Sequence, residues 1–219
     1  MLTRLLCLLL ALGLTACADS EPTPDPEPPA TPIAVTGLSA DEAAESARTM
    51  GDEAPPFTLP NATGGEVELA DHLADGPVVL TFYRGTWCPY CNTELRDLQA
   101  VLPEIEAAGA SLIAISPQQP DSSLSMQEKN SLTFPVLSDA GNEVSRAYGL
   151  VFSVGEDVRD RYAASGIDLA VVNGTDAWEL PVPATYVIDS NGVIRFAFVE
   201  ADYTQRAAPR DILEALQSL

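Results

Sequence analysis

Basic residues are scarce in this sequence. Against 32 Asp and Glu there are 11 Lys and Arg, with Lys129 the only lysine and His72 the only histidine, and the net charge over 219 residues is -21. Holding a nucleic acid takes a basic face that neutralises phosphates, so that class of partner is excluded. Cysteine is scarce too, with 4 in the chain: Cys7, Cys17, Cys88 and Cys91. A structural zinc site needs about four ligands, and a nucleophilic triad needs a well-placed base. Cys7 and Cys17 fall in the N-terminal signal considered next, and the remaining two cysteines with one histidine supply neither, so no metal is expected and His72 reads as a surface side chain. Long apolar runs are also missing. Leu5 to Leu14 is almost wholly apolar, but it is too short to span a bilayer.

The N-terminus instead carries the order of an export signal. Met1 to Arg4 holds one positive charge, the apolar run follows, and small residues come next at Thr15 and Ala16. Leu14-Thr15-Ala16-Cys17 resembles the bacterial lipobox, which makes Cys17 the expected lipid attachment site and residues 1–17 a lipoprotein-type signal. Ala16-Cys17-Ala18 also fits ordinary signal cleavage after Ala18. Both readings export the protein to the bacterial cell envelope, as a lipoprotein in the first case and as a soluble secreted or periplasmic protein in the second. Cys7 is then discarded, Cys17 is acylated or removed, and Cys88 and Cys91 remain as the thiols of the mature chain.

Residues 18–37 are rich in Pro, Asp, Glu and Thr, with Pro22, Pro24, Pro26, Pro28, Pro29 and Pro32 keeping the segment extended and coreless. It reads as a tether that, at about 3.1 Å per residue, reaches up to roughly 60 Å. Residues 38–219 are then expected to form one α/β domain. Ser39-Ala40-Asp41-Glu42 is a capping-box signature for a helix to about Arg48. Phe57 and Leu59, then Gly64-Gly65, then Val67 and Leu69 read as a small hairpin. Pro77 to Tyr83 and Ser111 to Ser116 are apolar, β-branched runs typical of buried strands, and Thr93 to Ala108 between them shows helical spacing through Leu95, Leu98, Leu102 and Ile105. Strand, helix, strand implies a parallel pair with a right-handed crossover.

Beyond them the spacing predicts a helix around Ser122 to Asn130, a strand at Thr133 to Leu137 and a helix from Asn142 to Tyr148. Residues 150–180 read as an insertion near one strand end, with Glu156 to Ala164 helical and Asp176-Ala177-Trp178 a turn. Thr185 to Asp189 and Val193 to Val199 make a hairpin, and Pro209 opens a last helix.

Cys88 and Cys91 fall where the first strand meets its helix. A thiol attacks as its thiolate, and the first turn of a helix favours the anion through unpaired N–H groups and the positive end of the dipole. A gap of two residues lets the partner thiol close a disulfide locally. The pair is therefore read as redox-active rather than as a static bridge, and it calls for no cofactor.

The residues around the pair, Phe82-Tyr83-Arg84-Gly85-Thr86-Trp87-Cys88-Pro89-Tyr90-Cys91-Asn92-Thr93-Glu94-Leu95, resemble the peroxiredoxin-like branch of the alkyl hydroperoxide reductase and thiol-specific antioxidant family. Ala54-Pro55-Pro56-Phe57-Thr58-Leu59, Phe134-Pro135-Val136-Leu137-Ser138-Asp139 and Leu180-Pro181-Val182-Pro183-Ala184-Thr185-Tyr186-Val187-Ile188-Asp189 support the resemblance, which covers about Gly51 to Leu216. It implies a thioredoxin-like fold, a central mixed β-sheet flanked by helices. It also puts Cys91 in the peroxidatic place. Three positions depart from the family pattern: Arg84 stands where its proline would be, Cys88 where its Thr would be, and Pro183 roughly where a later Arg would be.

Trp87-Cys88-Pro89-Tyr90-Cys91 with Pro183 before Ala184-Thr185 looks instead like thioredoxin, in which the first cysteine attacks beside a cis proline; Val182-Pro183 is accordingly expected to be cis. Arg84 is a candidate to stabilise a thiolate or bind a peroxide oxygen, and Trp87 to shield one side of the pair. Two activities follow. As a peroxidase the protein oxidises Cys91 with a hydroperoxide and condenses it with Cys88. As a thiol-disulfide oxidoreductase it attacks a protein disulfide with Cys88 and releases it with Cys91. The first is preferred, a non-catalytic module with a structural disulfide ranks last, and which cysteine attacks stays open. Export adds an envelope thioredoxin-like electron donor as partner, with the membrane reached only through the lipid anchor.

Overall fold

The computed structural model of the protein describes residues 37–219. The expected signal at 1–17, its lipid-accepting Cys17 and all but the last residue of the 18–37 linker lie outside the described residues.

Helix α1 (Ala40–Ser46) starts at the expected capping box, with the Ser39 backbone N–H donating to the Glu42 carboxylate at 2.8 Å. Strands β1 (Thr58–Pro60) and β2 (Glu66–Glu68) pair antiparallel as the expected hairpin. Leu69 departs from expectation. Instead of continuing a strand it opens α2 (Leu69–Asp75), in which Leu69 and Leu73 fall on one helical face and pack into the core beside Val78 and Leu80. His72, on that short helix, is half-buried with its Nδ1 3.1 Å from the Ser111 hydroxyl.

The strand and helix that flank the cysteines are β3 (Val78–Phe82) and α3 (Pro89–Ala107), and the chain continues through β4 (Ser111–Ser116), α4 (Pro120–Asn130), β5 (Val136–Ser138) and α5 (Glu143–Ala147). Residues 150–180 supply β6 (Val151–Ser153), α6 (Glu156–Ala164), α7 (Leu169–Asn173) and β7 (Glu179–Pro181). The hairpin of β8 (Ala184–Ile188) with β9 (Ile194–Val199) and helix α8 (Pro209–Gln217) complete the chain.

The main sheet has five strands in the order β5-β4-β3-β8-β9. Strands β3, β4 and β5 run parallel, while β8 is antiparallel to both β3 and β9, so the sheet is mixed. The alternation of side chains along a strand divides β3 cleanly. Val79 and Tyr83 face a core built with Leu95, Leu98, Leu102 and Ile105 of α3 and Ile212 and Leu216 of α8. Val78, Leu80 and Phe82 face a second core with Phe57, Leu69, Ile113, Tyr148 and Tyr186. Both faces of the strand are covered, which is why every residue of it is buried. The sequence expectation of a mixed sheet flanked by helices is thus borne out.

The insertion has a shape the sequence did not disclose. Strands β6 and β7 pair antiparallel and close it at its neck, and Val182 N–H extends the pairing to the Leu150 carbonyl at 2.8 Å. Val154, Leu169 and Leu180 form a small core of its own, against which Tyr162, Ile167, Trp178 and Trp87 pack. Trp87 also packs on the main core, so this one side chain joins the insertion to the active-site loop. Helix α6 matches the expected bounds, and the expected turn at Asp176 to Trp178 lies in irregular chain between α7 and β7.

Candidate active site

Strand β3 ends at Phe82, and the loop Tyr83 to Trp87 carries the chain to α3, whose N-cap is Cys88 and whose first residue is Pro89. Proline suits that position because its missing N–H has no partner in the first turn and its φ is already helical. The Cys88 sulfur replaces the usual capping oxygen and accepts from the Cys91 backbone N–H at 3.4 Å. Two side chains fix the loop. Gln118 accepts from Thr86 N–H at 2.8 Å and donates to its hydroxyl at 3.2 Å, while the Asn92 amide donates to the carbonyls of Thr86 at 2.9 Å and Cys88 at 2.7 Å. Gly85 lets the Trp87 indole fold back against the chain, since a Cβ there would collide with the ring nitrogen.

Cys88 and Cys91 are both free thiols and both buried, but their surroundings differ. The Cys91 thiol hydrogen bond, the Arg84 guanidinium and the Cys91 backbone N–H together outweigh burial at Cys88 and hold its pKa down at about 5. Arg84 Nη2 lies 3.7 Å from the Cys88 sulfur. Burial, followed by the neighbouring Cys88 anion, pushes Cys91 well above its ordinary value despite a nearby arginine. At neutral pH the pair is therefore a Cys88 thiolate beside a Cys91 thiol.

Of the three supporting residues named from the sequence, Arg84 touches the Cys88 sulfur, Trp87 precedes it in the loop, and Pro183 shares a cavity lining with both. Arg84 is itself only 6 % exposed. Its guanidinium stacks 3.8 Å from the Tyr203 ring centroid and 5.2 Å from that of Trp87, and donates to the Tyr162 hydroxyl at 3.3 Å. Trp87 in turn packs on Tyr162 with ring centroids 5.0 Å apart. Arg84, Trp87, Pro89 and Pro183 form one wall of a cavity of about 560 Å³, and Phe152, Val158, Tyr162 and Ile167 of the insertion form the other.

One expectation fails. No described peptide bond is cis, so Val182-Pro183 is trans. The preceding strand β7 and the Val182 to Leu150 hydrogen bond deliver the chain to β8 already extended, and no reversal calls for the rarer isomer.

Arg206, Glu94 and Tyr203 also belong to the site and are not among the residues the sequence points to. Arg206, in the loop between β9 and α8, places Nη2 3.5 Å from the Cys91 sulfur and Nε 2.7 Å from Glu94 Oε2. Glu94 is buried, and that burial raises its carboxyl to about 7 even though Arg206 pulls the other way. Glu94 could have been found as an acid three residues after Cys91 on an otherwise apolar helix face. Arg206 and Tyr203 are brought in from more than a hundred positions along the chain and had no such marker.

Comparison with known proteins gives the family. A Mycobacterium tuberculosis protein named as a peroxiredoxin is 32% identical over 159 residues, covering 73% of this chain and 87% of its own length. Chloroplastic peroxiredoxin Q of Sedum lineare is 30% identical over 171 residues, 78% of this chain and 79% of the relative. Thiol-disulfide oxidoreductase ResA of Geobacillus thermodenitrificans is 28% identical over 152 residues, 69% of this chain and 70% of the relative. Among solved structures, peroxidoxin BcpB of Mycobacterium tuberculosis superposes with a TM-score of 0.63 over 78% of this chain and 97% of its own, at 24% identity. The AhpC/TSA family model matches residues 50–197. With a thioredoxin-like fold and a dithiol at the head of its first long helix, the chain belongs to the AhpC/TSA family and is a peroxiredoxin-like thiol oxidoreductase.

Proposed function

We propose that this protein reduces hydroperoxides with Cys88 as the attacking thiolate and Cys91 as the resolving thiol, the reverse of the assignment that family spacing alone implies. The electronic asymmetry of the pair carries this reading: the helix N-terminus, the Cys91 thiol and Arg84 all favour an anion on Cys88, while Cys91 is buried as the neutral form. The Cys88 thiolate attacks the distal peroxide oxygen, the O–O bond breaks, and the alcohol or water leaves with a proton, giving a sulfenic acid on Cys88. Cys91 then attacks that sulfur, a disulfide forms and water is released. A dithiol donor returns both sulfurs to the reduced state.

The surroundings suit a small oxidant. Arg84 Nε and Trp87 Nε1 are buried donors without an acceptor among the described residues, and a peroxide oxygen supplies one. The cavity of about 560 Å³ beside them falls within the usual range for small-molecule sites, whereas a folded protein disulfide would have to reach sulfurs that are fully buried. Likeness to thiol-disulfide oxidoreductase ResA supports protein-disulfide exchange through the same Cys88 as the second reading.

Second-order rate constants of the reduced protein with a hydroperoxide and with a protein disulfide separate the two, and the hydroperoxide is expected to react faster. A sluggish hydroperoxide reaction alongside rapid exchange with the protein disulfide would overturn the first reading. The Met1 to Cys17 signal supports an exported, lipid-anchored form recharged by an envelope thioredoxin-like donor, with residues 18–37 as its tether. A Cys17→Ser chain that still partitions fully with membranes would contradict the anchor.

A further inference from the structure

Arg206 is the least explained charge near the reacting atoms. Its side chain is only 12% exposed and that of its partner Glu94 4%. Every nitrogen of the guanidinium is engaged: Nε with Glu94 Oε2 at 2.7 Å, Nη2 with the Cys91 sulfur at 3.5 Å, and Nη1 with the carbonyls of Tyr203 and of Gln205, the latter at 2.6 Å. A planar fork satisfied on all sides has one orientation, so the N–H aimed at Cys91 is held in place. The same short loop sets Tyr203 over Arg84. It thus helps to position both cations, one at each sulfur.

Attack on the peroxide uses Cys88 and Arg84 and does not need Arg206. Resolution does involve Cys91, which must become an anion in a buried place that disfavours anions. We propose that Arg206 is a second catalytic residue of the cycle: it holds the thiolate that Cys91 becomes each time the Cys88–Cys91 bond forms or breaks. This rests on the reading in which Cys88 attacks and Cys91 resolves.

In the closing step Cys91 gives its proton to the Glu94 carboxylate, and the resulting thiolate attacks the Cys88 sulfenic sulfur. The S–S bond forms, the S–O bond breaks, and the departing hydroxide takes up a proton to leave as water. In the opening step a thiolate of the dithiol donor attacks Cys88. The S–S bond breaks with its electron pair going to Cys91, which departs as a thiolate beside Arg206 and is reprotonated from Glu94. The second donor thiol then releases Cys88, so two electrons pass from the donor and the donor leaves as a disulfide. A cavity of about 350 Å³ lined by Tyr90, Thr93, Glu94, Asp97 and Arg206 connects the ion pair to the outside, by which the proton on Glu94 exchanges with solvent.

Because the Cys91 thiolate is transient in both directions, loss of Arg206 raises the barrier without moving the end states. The experiment compares wild type, Arg206→Met, Arg206→Lys and the double variant Arg206→Met/Glu94→Gln, which leaves no carboxylate buried without its partner. Acid quench, alkylation and mass measurement give the rates of sulfenic acid formation, disulfide closure and opening by dithiothreitol, and equilibration with dithiothreitol gives the potential.

In Arg206→Met, closure and opening are both expected to slow, each by roughly 10- to 100-fold, with the potential at the wild-type value; the double variant, which also lacks the Glu94 proton acceptor, is expected to be at least as slow. Arg206→Lys is expected to recover part of the loss. Wild-type rates of closure and opening in both Met-containing variants overturn the proposal, and so does a slowed opening fully accounted for by a shifted potential, which would place the effect of Arg206 on an end state. Formation of the sulfenic acid on Cys91 would instead overturn the underlying assignment, and the mass of the first adduct reports that separately.

Discussion

Cys88 owes its character to three neighbours that differ in kind: a thiol, a guanidinium and a backbone N–H at the head of α3. Each favours the thiolate, which is the form that reacts. Since the folded pKa is lowered to about 5, alkylation of Cys88 should fall away only as the pH drops through about 5 and stay level above neutrality. A rate that keeps climbing to an inflection near the ordinary thiol value would contradict the site geometry. Arg84→Met removes one of the three and should move the inflection up by roughly one unit, read from the pH profile of iodoacetamide labelling located by mass. Cys91, buried and neutral, should label slowly across the same range.

At the scale of elements, the insertion stands on a few side chains. Leu180 is fully buried in its small core with Val154 and Leu169. Leu180→Ala should lower stability by about 2–5 kcal/mol, measured as a reduced urea midpoint, and should weaken the wall that Tyr162 and Ile167 present to the active-site cavity. A change within experimental error would mean the insertion adds nothing to the fold.

The uneven legibility of the sequence follows from the same physics. Strand β3, helix α3 and strand β4 were plain because runs of buried β-branched residues and a three-and-four spacing of leucines each encode one element locally. The capping box at Ser39 and helix α6 were local as well. Helix α2 was misread because Val67 and Leu69 fit a strand as well as a helix start, and only packing of Leu73 decides. Pairing of β6 with β7 joins residues some thirty positions apart, beyond any local pattern. The cysteines, Arg84 and Trp87 were visible together because they lie within eight consecutive positions, whereas Arg206 reaches Cys91 only through tertiary structure.

Seen whole, the described chain brings its chemistry to one place. Its described thiols are Cys88 and Cys91, so the proposed attack and resolution both fall at the head of one helix. No helix of the described residues is long and apolar enough to cross a membrane. The family assignment fixes thiol oxidoreductase chemistry, and the proposed order of attack rests on this chain's departures from the family pattern at Arg84 and Cys88.

The most direct test of that account is to locate the first sulfenic acid. Reduced Cys91→Ser and Cys88→Ser proteins are each mixed with a hydroperoxide and a sulfenic-acid trap, and the adduct is placed by mass. The account predicts a rapid adduct on Cys88 in Cys91→Ser and little on Cys91 in Cys88→Ser. A rapid adduct on Cys91 in Cys88→Ser, with none on Cys88 in the other variant, would contradict it.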